Sequence, residues 1–113
     1  MLPEQDRERF LHIRDAALKI AAFTSGLSED DFQRSDLVQH GVLHCLYIIC
    51  EAAGRISQTT QDRFPTIEWH VIRGMRNRLA HAYFAINLEI IWYSVTVNVP
   101  VLLQQVEHLL ATE

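Results

Sequence analysis

Apolar residues recur at three- and four-residue intervals over most of the chain, the spacing of a buried helical face. Over residues 3–24, Phe10, Ile13, Ala17, Ile20 and Ala21 mark one stripe, with Leu11 and Leu18 one position over. Pro3 suits a first helical turn, Glu4 and Asp6 suit the positive end of the helix dipole, and Gly26 suits a C-terminal stop. Ser28 is placed to cap a short turn or helix that begins with Glu29-Asp30-Asp31. A second long helix is predicted over residues 35–57. Its Val38, Val42, Cys45, Ile49, Ala52 and Ile56 form one apolar face and Leu43, Leu46 and Cys50 a second, so two sides call for burial. Residues 58–66 read as a connection with at most a short turn, ending at Phe64-Pro65. A third helix is predicted over residues 67–85, with Val71, Ile72, Met75, Leu79 and Ala82 facing inward.

Asn87 is a candidate cap for the last helical region. Residues 90–97 are rich in β-branched and aromatic side chains and by propensity suit a strand. They are read as helix because no earlier segment offers a strand partner. The tail returns to helical spacing with Val99, Leu102, Leu103, Val106, Leu109 and Leu110. Pro100 either stands in the first turn of a tail helix behind Asn98 or kinks a longer helix. The expected fold class is all-α, an up-and-down helical bundle of four to five helices forming a single domain over residues 1–113.

Composition narrows the function classes. With 113 residues, 49% hydrophobic and 21% charged, the chain has the make-up of one ordinary globular domain. Four Gly and three Pro leave little turn chemistry for a many-stranded sandwich. A formal net charge of −4 argues against a protein that coats duplexes, so any nucleic-acid role needs a local basic patch. A domain this small buries only roughly two-thirds of its unfolded surface, and a homo-oligomer would add burial. The charged start lacks the apolar run of a secretion signal, and no clean stretch of ~20 apolar residues suggests a membrane span. Cys45 and Cys50 form neither a C-x-x-C pair nor a disulfide framework, and read as buried thiols in a cytoplasmic protein.

The polar residues of the second helix are ordered too. Asp36, His40, His44, Tyr47 and Glu51 step by 4, 4, 3 and 4 and stack on one line. Such a line faces a cleft, an interface or plain solvent. His40 and His44 have the i, i+4 spacing of zinc ligands, and Glu51 on the same line would join them. The His-Glu-x-x-His order is missing, however, and no third ligand is assured. No metal and no cofactor are expected.

The densest chemistry lies in Arg73-Gly-Met-Arg-Asn-Arg-Leu-Ala-His-Ala-Tyr83, which holds three Arg, one His, one Asn and one Tyr and no acid. Arg offers planar, bidentate phosphate contacts, and His transfers protons near neutral pH. Cleaving RNA without a metal needs these two abilities, removal of the 2′-hydroxyl proton and stabilisation of charge on the phosphate. At about 100° per residue, Arg76 and Tyr83 share one face, Asn77 and His81 share the next, and Arg76 and His81 stand about 140° apart. Either the helix loosens over residues 79–83, or a second copy of the chain completes the pair across a two-fold axis.

The stretch Ile67-Glu-Trp-His-Val-Ile-Arg-Gly-Met-Arg-Asn-Arg-Leu-Ala-His-Ala-Tyr-Phe, followed by Asn87-Leu-Glu-Ile-Ile-Trp and Asn98-Val-Pro, resembles the HepT-like branch of the HEPN superfamily. Ile48-Ile-Cys-Glu-Ala-Ala is similar to that branch's second long helix. The resemblance covers about residues 36–103. It implies an all-α bundle that dimerises and acts as a ribonuclease toxin, paired with a minimal nucleotidyltransferase antitoxin. Carried over, Arg76 and His81 are the ribonuclease pair, with Asn77 as the polar neighbour, and Arg73 and Arg78 contact RNA. Tyr83 is the hydroxyl that the antitoxin modifies with AMP. Glu51, with Tyr47 and His44 on its line, supports the cleft. The chain departs from the pattern at Ala82, where relatives often carry an acid, and at Ala85 and Asn87, where Gly and Asp are common. A second reading keeps the basic patch but not the catalysis: a non-catalytic subunit that holds substrate or nucleotide for a partner nucleotidyltransferase.

Overall fold

The first apolar stripe folds as α1 (Glu4–Thr24), which buries Phe10, Ile13, Ala16, Ala17 and Ile20. The computed structural model describes residues 1–81 and 86–113, the side chain of His81 excepted, and among these there is no strand. Ala21, expected on the stripe, is exposed, and Ala16 is buried instead. Gly26 adopts a left-handed φ of 75°, the reversal that ends the segment. Ser28 and Asp31 cap each other's backbone N–H groups and open α2 (Glu29–Arg34). Ser35 then accepts from the Val38 N–H and starts α3 (Asp36–Gly54).

The predicted second helix ends earlier than expected, and the segment read as a connection contains α4 (Gln58–Arg63). The reason is a buried carboxylate. Asp6 is 4% exposed, and it accepts hydrogen bonds from the Ser57 N–H at 3.0 Å, the Ser57 hydroxyl at 2.7 Å and the Thr60 hydroxyl. Ser57 in turn caps α4 through the Thr60 N–H. An acid that the sequence assigns only to a helix end thus pins α4 onto α1. Burial alone would raise the Asp6 pKa, but the Thr60 and Ser57 hydrogen bonds outweigh it and hold the carboxyl below its ordinary value.

The third helix is α5 (Trp69–His81), shorter at its start than predicted, and residues 82–85 of that prediction lie outside the described residues. Asn87 caps α6 (Leu88–Tyr93) by accepting from the Glu89 and Ile90 N–H groups at 2.9 and 3.2 Å. A π-helical turn (Ser94–Asn98) then leads into α7 (Val99–Thr112) with helical backbone at both junctions. Both readings of Pro100 hold in part. It stands in the first turn of α7, inside a longer rod. The wider turn just before it fits a residue that brings no N–H and crowds the preceding carbonyls. The strand propensity of residues 90–97 is overridden by their packing in this rod.

Four long members, α1, α3, α5 and the joined α6–α7 rod, make the bundle, with α2 and α4 as short connectors. α3 packs against both α1 and α5, and α7 closes on α1. Phe10 meets Phe64 and Trp69 edge-on across the core, and Phe32 of α2 lies 5.2 Å from Trp92 of α6. Among the described residues α3 is long and apolar enough to cross a membrane, with a mean hydropathy of 1.2. It is still no clean apolar stretch, since Asp36, Gln39, His40, His44 and Glu51 interrupt it. Its apolar sides are covered by α1 and α5, as for the central helix of a bundle.

Candidate functional site

α5 turns Ile72, Met75 and Leu79 toward the core and leaves Arg73, Arg76, Asn77 and Arg78 exposed. Arg76 stands on the flank facing α3. Its Nε donates to Glu51 Oε1 at 3.1 Å, and the two side chains are 50% and 26% exposed. A pair this exposed adds little to stability. Its importance is geometric. With Nε taken by Glu51, both terminal nitrogens of Arg76 are without a partner among the described residues, the fork that grips a phosphate. Glu51, expected as cleft support, thus stands beside the Arg76 side chain.

Arg73 stands about 60° around the axis from Arg76 and Asn77 about 100°, so these three form one outward arc. Arg78 is about 160° from Arg76 and belongs to the other flank. The structure therefore does not bring it to the same face, and a single helix cannot engage one phosphate with both. α5 stays helical through His81, so the loosening expected over residues 79–83 is not seen in residues 79–81. Positions 76 and 81 keep their separation of about 140°. Tyr83 lies outside the described residues.

The polar line on α3 faces outward. His40, His44 and Tyr47 are exposed, with Tyr47 one turn ahead of Glu51, and the line ends at the Glu51–Arg76 contact. Leu37, at the head of this line, is 84% exposed, an apolar surface residue that the polar spacing does not announce. His40 Nδ1 lies 2.7 Å from the Asp36 carbonyl oxygen. Among the described residues no three His, Cys, Asp or Glu side chains are grouped to hold a metal ion, so His40, His44 and Glu51 do not converge.

Two features lie beside the arc. Behind it, Ile49, Cys50, Ile72, Met75, Val97 and Leu102 help line an apolar cavity of about 110 Å³ between α3, α5 and the last rod. Cys45 and Cys50 are buried and unpaired. Burial, then the Glu51 charge, push the Cys50 thiol up to about 12 against the opposing pull of Arg76, so it is no nucleophile near neutral pH. Burial likewise raises the Cys45 thiol, against the pull of Lys19. In front of the arc, a polar hollow of about 340 Å³ lies between α4 and the start of α5. The sequence reading missed it because it took residues 58–66 as a connection; the only signal was the cluster of Gln58, Gln61 and Asp62.

A family model described as "Ribonuclease HepT-like" matches residues 13–109. A putative RNase of Methanocaldococcus jannaschii is 30% identical over 107 residues, covering 94% of this chain and 98% of the relative. A probable ribonuclease HepT of Thermococcus cleftensis is 32% identical over 97 residues, covering 86% and 88%. A putative RNase of Caldanaerobacter subterraneus is 32% identical over 88 residues, covering 78% and 79%. No solved structure matches.

Proposed function

Because the chain belongs to the HepT-like ribonuclease family, we propose that it is a metal-independent endoribonuclease toxin whose active cleft forms between two copies. Arg76 carries the reading. It is a guanidinium held at one edge by Glu51, with its fork unoccupied among the described residues, on a helix whose position 81 bears the only His of the motif. In the proposed reaction His81 takes the proton from a ribose 2′-hydroxyl. The resulting oxygen attacks the adjacent phosphorus, the bond to the 5′-oxygen of the next nucleotide breaks, and that oxygen leaves as a hydroxyl with the proton that the His81 imidazolium gives up. Arg76 neutralises the charge that builds on the phosphate oxygens. Asn77 is a neighbouring polar donor and Arg73 holds the adjoining backbone, while Glu51, Tyr47 and His44 edge the cleft. Arg78, on the far flank, contacts RNA only if the strand crosses α5 or reaches the second copy.

The separation of positions 76 and 81 on one continuous helix is the argument for a homodimer. A two-fold axis beside α5 sets one copy's Arg76 against the other's His81. Regulation follows the same chemistry. A minimal nucleotidyltransferase antitoxin transfers AMP to Tyr83, whose phenol oxygen attacks the α-phosphorus of ATP and releases pyrophosphate. Tyr83 follows Arg76 by seven positions in the sequence, and in this reading the added phosphate competes with RNA for the arginines. In this reading the protein works in the cytoplasm, with RNA as substrate and no membrane partner.

RNA cleavage in excess chelator tests this reading. The parent chain is expected to cut and His81→Ala to be at least about a hundredfold slower; equal rates would remove His81 from the mechanism. Co-expression with a nucleotidyltransferase partner is expected to add the mass of AMP to the parent and not to Tyr83→Phe. An adduct persisting in Tyr83→Phe would place the modification elsewhere.

A further inference from the structure

We propose that the polar hollow between α4 and α5 is a subsite for one guanine nucleotide, next to the phosphate gripped by Arg76. The inference rests on the ribonuclease reading for its setting and on the hollow's own chemistry for its ligand. At about 340 Å³ the hollow has the size of a small-ligand site. Pro65 and Trp69 give it apolar wall, on which a base can lie, and His70 and Arg73 line it from α5. Arg73 is one turn before Arg76, about 4.5 Å along the axis and about 60° around it. Among the described residues it has no ion partner, whereas Arg76 is tied to Glu51. A strand with one phosphate on Arg76 therefore presents its neighbouring nucleotide to Arg73 and the hollow.

The hydrogen-bonding groups select the base. Gln58 Nε2 donates to Asp62 Oδ1 at 2.9 Å, and Gln61 Nε2 donates to the Ile56 carbonyl oxygen at 3.0 Å. Each amide thus keeps one N–H, and Asp62 is the one carboxylate among the lining residues, with its Oδ2 free of partners among the described residues. That carboxylate favours the base edge with adjacent donors. Guanine presents N1–H and the N2 amino group side by side, whereas uracil offers one N–H and adenine and cytosine one amino group each. A carboxylate accepting from that pair is a charge-assisted contact, and Arg73 balances the phosphate.

Binding of the four nucleoside 5′-monophosphates to the full chain, followed by NMR shift titration, tests the subsite without depending on cleavage. The parent is expected to bind GMP about tenfold more tightly than AMP, CMP or UMP. Asp62→Ala should lose that preference, and Arg73→Gln should weaken all four by a similar factor while keeping it. Equal binding of the four by the parent, or a guanine preference that survives Asp62→Ala, would overturn the assignment. Cleavage of RNA by a chain with no guanine preference would overturn the subsite and leave the ribonuclease reading standing. A guanine preference in a chain that cuts no RNA would support the subsite and count against the ribonuclease.

Discussion

Asp6 and Arg76 are both charged, and each is held by residues far away in sequence, but they are held differently. Asp6 is buried and accepts three hydrogen bonds from Ser57 and Thr60. Arg76 is half exposed and has one partner, at one edge. A charge whose bonding capacity is met inside the fold stabilises the fold and can bind nothing else. A charge met on one side only is oriented at little energetic cost and keeps donors for a ligand. The contrast separates a polar centre closed within the fold from one left open to a ligand, without reference to either residue's type.

The contrast is broken most severely by Arg76→Ala. RNA cleavage is expected to fall about a hundredfold or more, with the midpoint of urea unfolding almost unchanged; a large stability loss would mean that Arg76 is structural. Asp6→Ala is the converse case. It should lower unfolding stability by about 2 kcal/mol through the stranded donors of Ser57 and Thr60, and cleavage by the molecules that remain folded should persist.

Asp6 also sets a pH dependence. Its folded pKa is lowered below the ordinary 3.8, so its contribution is fully present above that value and is lost as pH falls through the lower folded one. The gap in stability between the parent and Asp6→Ala should therefore narrow from pH 5 to pH 3, as measured by denaturation at each pH. A gap that widens on acidification would give the shift the opposite sign. The smallest effect is expected for Glu51→Gln, which keeps an acceptor for Arg76 and removes the charge. Cleavage should drop a few-fold with little change in stability, while Glu51→Ala should cost more; equal losses would deny Glu51 a positioning role.

Much of the fold was legible because it follows from local rules. The stripe through Phe10, Ile13, Ala17 and Ile20 is buried as its spacing requires, and Ser28 and Asn87 cap the helices that follow them. What was not legible depends on tertiary contact. Nothing local marks Asp6 as buried, since an acid in a first helical turn is ordinarily solvated, and Ser57, the cap of α4, is a weak local sign without that contact. The π-helical turn before Pro100 likewise arises in a rod longer than the Asn98 cap suggests. At the site, periodicity placed Glu51 and Arg76 on their helices, and the fold brought them to 3.1 Å. Arg78, expected beside Arg73 as an RNA contact, stands on another flank by the helical register.

In the proposed dimer each cleft takes Arg76 from one copy and His81 from the other, and the direct measurement is RNA cleavage by a heterodimer. Chains carrying Arg76→Ala and His81→Ala are co-expressed with different tags and purified through both. Each substituted homodimer should be inactive, while the heterodimer should regain about half the parent rate, since one of its two clefts pairs an intact Arg76 with an intact His81. A heterodimer as inactive as its parents would contradict the account, because it would mean that each chain must supply both residues itself.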